Sequence, residues 1–193
     1  FVNSTRRLKE EESKEIEVAN FKFSNISFTC PKGSLTMVVG PVGSYKSTLL
    51  YALLNELPKY SRDSTIQMEG KVALAPQEPW IMSTSIRENI TFGLPFRWKK
   101  YRRIIEACCL EQDFNAFLAG DYTIVGDRGV NLSGGQKARI CLARAFYSDA
   151  NIILLDDPLS AVDSVVGQRL FNSILKMKLQ RSKTVLLVTH QLQ

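Results

Sequence analysis

The chain predicts an α/β fold: a mainly parallel sheet covered by helices, with a helical subdomain inserted near its middle. Short apolar runs alternate with stretches of helical periodicity. A glycine-containing loop joins the first of these runs directly to a helix. Residues 84–148 carry helical patterning throughout and no convincing strand.

In chain order, Leu35 to Val39 reads as a buried strand and Lys46 to Leu57 as a helix stopped before Pro58. Residues 58–70 are polar and read as loop, with Gly70 turning into a strand at Lys71 to Ala75. Asn151 to Leu155 and Thr184 to Val188 are further apolar strands. Between them Val166, Leu170 and Ile174 recur at helical spacing, so residues 164–178 read as an amphipathic helix. Residues 1–193 thus form one domain, with an α/β core at about 16–77 and 150–193 and a helical subdomain at 78–149. No internal repeat or low-complexity tract interrupts it.

With 193 residues, 45% hydrophobic and 23% charged, the chain can bury a sizeable core. No stretch approaches the roughly 20 apolar residues a membrane span needs, and the start, FVNSTRRLKEEESKEIEV, lacks the apolar centre of a signal peptide. Cys30, Cys108, Cys109 and Cys141 lack metal-type spacing and read as reduced thiols in a reducing compartment. Sequons at Asn3, Asn25, Asn89 and Asn131 are therefore expected to stay unmodified. The net charge of +6 raises nucleic acid or a membrane surface as partners. Its densest cluster, FRWKKYRR at 96–103, reads as the solvated face of a helix with Trp98 and Tyr101 one turn apart and partly buried. The acidic run Glu10 to Glu12 reads as a solvated face or tail.

Three motifs carry chemistry. GPVGSYKST (Gly40, Pro41, Val42, Gly43, Ser44, Tyr45, Lys46, Ser47, Thr48) follows a strand and opens a helix, the context of a phosphate loop. Such a loop receives polyphosphate on backbone N–H groups and a helix N-terminus. Lys46 supplies a mobile charge and Ser47 a hydroxyl for magnesium. Tyr45 stands where the pattern has its second glycine, and either crowds the phosphates or turns its ring away. NIILLDD then ends a strand in carboxylates at the sheet edge where α/β proteins bind ligands. Asp156 is suited to magnesium and Asp157 to polarising water. Finally, in NLSGGQKARICLARAF, Ser133 can cap a helix whose first turn is bared by Gly134 and Gly135. One triphosphate needs one cradle, so a second anion site suggests two domains packed head to tail, each completing the other's site.

These residues resemble the nucleotide-binding domain of ATP-binding-cassette (ABC) transporters. LSGGQ at 132–136 looks like the signature, Gln77 in APQEPW matches the glutamine loop, LSAVD ending at Asp163 the D-loop, and His190 in LLVTHQ the switch histidine. The wording of WIMSTSIRENITFG and DDPLSAVD is similar to the first such domain of subfamily C, which holds the multidrug-resistance-associated exporters and the cystic fibrosis conductance regulator, a channel. The resemblance implies an ABC ATPase head with a small antiparallel β subdomain, and places the family's later strands beyond the end of this chain.

It also implies ATP and Mg²⁺ as cofactors and a cytosolic position at a membrane face. The partners would be the transmembrane domains of the same transporter and a second nucleotide-binding domain. Lys46, Ser47 and Asp156 would hold ATP against the partner's signature. Ser133, Gly134, Gly135 and Gln136 would close over the partner's ATP, and Gln77 would bind magnesium. Adenine would stack on Phe21 or Phe23, although FKFSNISFTC is several residues shorter than the family's spacing. Active members usually carry glutamate where Asp157 stands. Its carboxylate falls short by one C–C bond, roughly 1.5 Å, and a misplacement near 1 Å can cost on the order of 100-fold in rate. The expectation is therefore ATP binding with weak hydrolysis at this site. Two alternatives are a purely regulatory ATP clamp and a soluble ABC ATPase acting on nucleic acid. The second would need sustained coiled-coil heptads, which are absent, so no nucleic-acid partner is expected.

Overall fold

The computed structural model describes residues 26–57, 65–126, 129–179 and 183–190. The chain divides into two compact units. One comprises residues 1–29 and 59–65, of which 26–29 and 65 are described. The other, residues 30–58 and 66–193, holds every element named below.

Four strands, β1 (Leu35–Val39), β2 (Val72–Ala75), β3 (Ile152–Asp156) and β4 (Thr184–Thr189), form a parallel sheet in the order β1-β4-β3-β2. The described residues also form six α-helices: α1 (Lys46–Leu53), α2 (Ile86–Thr91), α3 (Trp98–Ala107), α4 (Glu111–Ala116), α5 (Gly134–Tyr147) and α6 (Ser164–Leu179). β3 and β4 are continuous Ile/Leu/Val runs because a central parallel strand is covered on both faces. Alternation divides their side chains. Leu154, Leu186 and Val188 pack with Leu50 of α1 on one face. Ile153, Leu155, Val185 and Leu187 join Leu142, Phe146, Leu170 and Ile174 in the larger core on the other. The sheet's C-terminal edge is therefore open where β1, β3 and β4 end, and the candidate ligand residues follow those ends.

Several boundaries differ from expectation. α1 ends at Leu53, four residues early, because Asn55 takes a left-handed conformation (φ 58°) that stops the helix before Pro58 is reached. β3 begins at Ile152; the Asn151 amide instead accepts from the Lys71 N–H at 3.2 Å and so joins β2 to β3 outside the ladder. Trp98 is 60% exposed, while Tyr101 is fully buried. The only antiparallel contact among the described residues is an isolated bridge between Ser85 and Ile124. Residues 1–25 and 58–64, on which much of an antiparallel β subdomain would fall, lie outside the described residues. The four cysteines are free. Asn89 is fully buried with its amide bonded to Met82 and to the Ser85 carbonyl, so that sequon is inaccessible. No described helix is long and apolar enough to cross a membrane.

Candidate nucleotide site

The loop 40–45 leaves β1 and enters α1 without a break. The Gly40 N–H donates to the Thr189 carbonyl (3.4 Å), tying the loop to the end of β4. Gly43 has φ 82°, which favours glycine. Tyr45 also lies in the left-handed region, with φ 60° and ψ 28°. This supplies the physical reason for glycine at that place in the pattern: the backbone turns left-handed there, and a side chain costs about 1–2 kcal/mol. Tyr45 carries that cost and keeps the turn, and it is 53% exposed. The Lys46 ammonium donates to the Gly40 and Pro41 carbonyls (2.8 and 2.7 Å) and to Ser44 Oγ (3.3 Å), drawing the loop around itself. Ser44 Oγ in turn donates to the Pro41 carbonyl. Val42 is the outermost point, and Thr48 lies in the first turn of α1.

Ser47, at the second residue of α1, donates its hydroxyl to Asp156 Oδ1 at 2.9 Å, joining residues 109 apart in sequence. Asp156 is buried at the end of β3, and that burial lifts its carboxyl above the usual range against the Ser47 hydrogen bond. A hydroxyl and a carboxylate at this separation are hard oxygen donors suited to magnesium, which takes one or two protein ligands and fills the rest with phosphate and water. The residues therefore fit the cation. Among the described residues no three His, Cys, Asp or Glu side chains gather as a metal centre, so phosphate oxygens would have to complete the shell.

Asp157 follows in a left-handed conformation (φ 47°) and is buried. Its Oδ2 lies 2.6 Å from His190 Nδ1 and its Oδ1 accepts from Thr189 Oγ1 at 3.0 Å. Both oxygens are thus engaged by the residues that end β4, and the candidate base and switch histidine form one unit. Gln77 is exposed, two residues past the Ala75–Leu155 pair of the β2–β3 ladder, at the same sheet edge. Phe21 and Phe23 lie outside the described residues.

The second anion-type feature is the start of α5. Ser133 Oγ accepts from the Gln136 N–H (3.2 Å), while the Ser133 N–H donates to Gln136 Oε1 (2.8 Å), a reciprocal capping box. The two glycines are unlike. A Cβ on Gly134 would meet nothing within 4 Å, whereas one on Gly135 would stand 2.9 Å from the Ala161 carbonyl oxygen. Gly134 therefore bares the helix start, and Gly135 lets α5 touch the loop that ends at Asp163. Asp163 itself caps α6, accepting from the Val165 and Val166 N–H groups (3.1 and 3.0 Å).

Two positioning residues escaped the sequence reading. Asp113 of α4 accepts from Gln136 Nε2 (2.9 Å) and pairs with Arg139 (2.7 Å). Arg139 also reaches the Gly135 and Cys109 carbonyls. Nothing in the sequence flagged Asp113, because the contact is set by how two helices pack. Asp163 was legible as a cap from its place before a helical run, and drew attention only as part of a family motif.

Residues 23–160 match the family described as ABC transporter. The chain is 47% identical over 180 residues to ABC transporter C family member 3 of Dictyostelium discoideum, covering 93% of this chain and 12% of that protein. It is 49% identical over 168 residues to ATP-binding cassette sub-family C member 4 of Mus musculus, covering 87% of this chain and 12% of that protein. With ABC transporter C family member 7 of Arabidopsis thaliana the identity is 45% over 190 residues, again with 93% and 12% covered. The chain thus spans about an eighth of the length of these relatives.

Proposed function

The chain belongs to the ABC transporter family, and on that premise we propose that it is the first nucleotide-binding domain of a subfamily C transporter. It binds ATP with magnesium through Lys46, Ser47 and Asp156, at the cytosolic face of a membrane. It pairs head to tail with a second nucleotide-binding domain, to which it lends Ser133, Gly134 and Gln136. The observation that carries this reading is the 2.9 Å hydrogen bond between Ser47 and Asp156, which unites the phosphate loop with the strand-end carboxylate.

Magnesium, when bound, supplies charge neutralisation on the phosphates. The chain's own residues do the rest. Lys46 exchanges carbonyl partners for phosphate oxygens, and the first N–H groups of α1 receive negative charge. Both carboxylate oxygens of Asp157 are taken up by Thr189 and His190, so neither stands free to accept from a water. That engagement favours slow turnover at this site, and in its limit a purely regulatory clamp. Single-turnover hydrolysis separates the two.

Transmembrane domains need a docking surface, and one is available beside Gln77. Trp80 and Phe92 are 46% and 50% exposed and meet edge to face with ring centres 5.5 Å apart. The Arg144 guanidinium lies 3.8 Å from the Trp80 ring centre and is bonded to Asn89, which makes this aromatic patch rigid.

The test uses the parent transporter. Ser133→Arg is expected to leave ATP binding at Lys46 intact while abolishing most steady-state hydrolysis, because the partner's site loses its cover. Lys46→Ala is expected to lower ATP occupancy while most turnover remains. The reverse pattern would place the active site here and overturn the assignment.

A further inference from the structure

The cleft between α3, α5 and α6 is not used by the nucleotide reading. It measures about 1520 Å³ and opens at the N-terminal edge of the sheet, where Asn151 leads into β3 and Lys183 into β4. The nucleotide residues follow the C-terminal ends of β1, β3 and β4, so the two sites lie at opposite edges.

Eight arginines and lysines line the cleft against three carboxylates. Local structure accounts for three of the cations. Lys100 and Lys183 both donate to the Ser148 carbonyl at the end of α5 (3.5 and 3.1 Å), Lys100 also pairs with Asp149, and Arg139 pairs with Asp113. Arg97, Lys99, Arg103, Arg169 and Lys176 form no ion pair among the described residues, and all five are exposed. Burial and the neighbouring Lys100 charge push the Lys183 ammonium below its usual range, a sign that positive charge is crowded here.

We infer that this cleft is a docking groove for an extended anionic peptide segment, its charges carboxylate or phosphate. Three arguments select that occupant. The lining runs along α3, α5 and α6 and past the entries to β3 and β4, so the cleft suits an extended occupant. Arg97, Arg103 and Arg169, which form no ion pair among the described residues, present forks that match carboxylate and phosphate alike. Among the described residues Phe146 is the only aromatic in the lining, and it is fully buried, so it offers bases no stacking platform. A concave groove also fits a strand of peptide better than the plane of a membrane.

The test is fluorescence anisotropy on the chain itself at physiological ionic strength. The probes are a short oligo-glutamate peptide, its phosphoserine counterpart, a neutral Gly/Ser peptide and oligo-deoxythymidine. Saturable binding of either acidic peptide, at least about ten-fold tighter than the neutral one, is expected. The double variant Arg103→Glu/Arg169→Glu should weaken it by about ten-fold or more. Arg102→Glu, on the same helix but outside the lining of the cleft, removes no direct contact and should weaken binding clearly less than the double variant. Circular dichroism and melting temperature guard against misfolding, and comparison of the two acidic peptides distinguishes carboxylate from phosphate as the preferred anion. The proposal falls if neither acidic peptide binds, if Arg102→Glu weakens binding as much as the double variant, or if oligo-deoxythymidine binds tighter than both peptides.

Discussion

Gly134 and Gly135 are adjacent, identical in sequence context, and expected to respond oppositely to alanine. At Gly135 the new Cβ would stand 2.9 Å from the Ala161 carbonyl oxygen, a backbone atom. About 0.5 Å of separation must be found by moving the first turn of α5 or the loop before Asp163, and forced packing of this kind costs roughly 1–3 kcal/mol. Alanine returns up to about 1 kcal/mol of helix propensity at either position, leaving a net loss of about 0–2 kcal/mol at Gly135 and a difference of about 1–3 kcal/mol between the two variants. For a chain of this size that lowers Tm by roughly 2–4 °C per kcal/mol. At Gly134 nothing lies within 4 Å, so alanine should be neutral or stabilising by up to about 1 kcal/mol. Calorimetric melting of both variants beside the native chain reads the difference directly. Equal shifts in the two variants, or a Gly135→Ala variant more stable than Gly134→Ala, would refute the contact between α5 and the Asp163 loop. If the proposed head-to-tail pairing holds, Gly134→Ala should slow turnover in the full transporter without loss of stability, since the added Cβ stands in open space at the bared start of α5.

Other expectations follow from the same geometry. Ser85→Ala removes the reciprocal cap of α2, where Ser85 accepts from the Glu88 N–H at 3.2 Å, and should cost about 1–2 kcal/mol in urea unfolding. Burial lifts the Asp156 carboxyl above its ordinary 3.8, against the Ser47 hydrogen bond, with the Asp157 charge adding to the rise. The folded state then holds this proton longer than the unfolded chain, so its contribution to stability falls as pH rises from about 4 through the raised pKa. Asp156→Asn should remove that slope, while magnesium-dependent ATP affinity of the native chain should rise over the same window. Asp113→Ala leaves Arg139 without its carboxylate and frees the Gln136 side chain. A loss of about 1–3 kcal/mol is expected, with faster amide exchange at the start of α5. Unchanged exchange there would remove Asp113 from any positioning role.

The sheet was legible because β3 and β4 are unbroken apolar runs, which only a strand covered on both faces requires. The phosphate loop was legible because Gly40, Lys46 and Ser47 sit between such a run and a helix. Tyr45 marks where reading failed: the sequence shows a bulky residue at a glycine position, but whether that glycine serves space or backbone conformation is a property of φ. Gly134 and Gly135 were read together as a bared helix start, since their difference lies in Ala161, a residue 26 positions from Gly135 with an ordinary peptide carbonyl. Pro58 drew attention as the stop of α1, although Asn55, a residue tolerant of the left-handed region, stands nearer. Asp157 was judged by chain length alone. Its engagement by Thr189 and His190 depends on β3 and β4 being neighbours in the sheet, which motif spacing does not reveal.

The central claim is that the loop at 40–48 is a working ATP cradle in spite of Tyr45. Calorimetric titration of the chain with Mg–ATP, beside a Tyr45→Gly variant, tests it most directly. Tyr45 already follows the left-handed turn that the loop requires. The native chain should therefore bind at micromolar to low-millimolar levels, with the variant within about five-fold, or roughly 1 kcal/mol. Native binding that is absent, and restored by glycine, would contradict the account and show that the ring has closed the site.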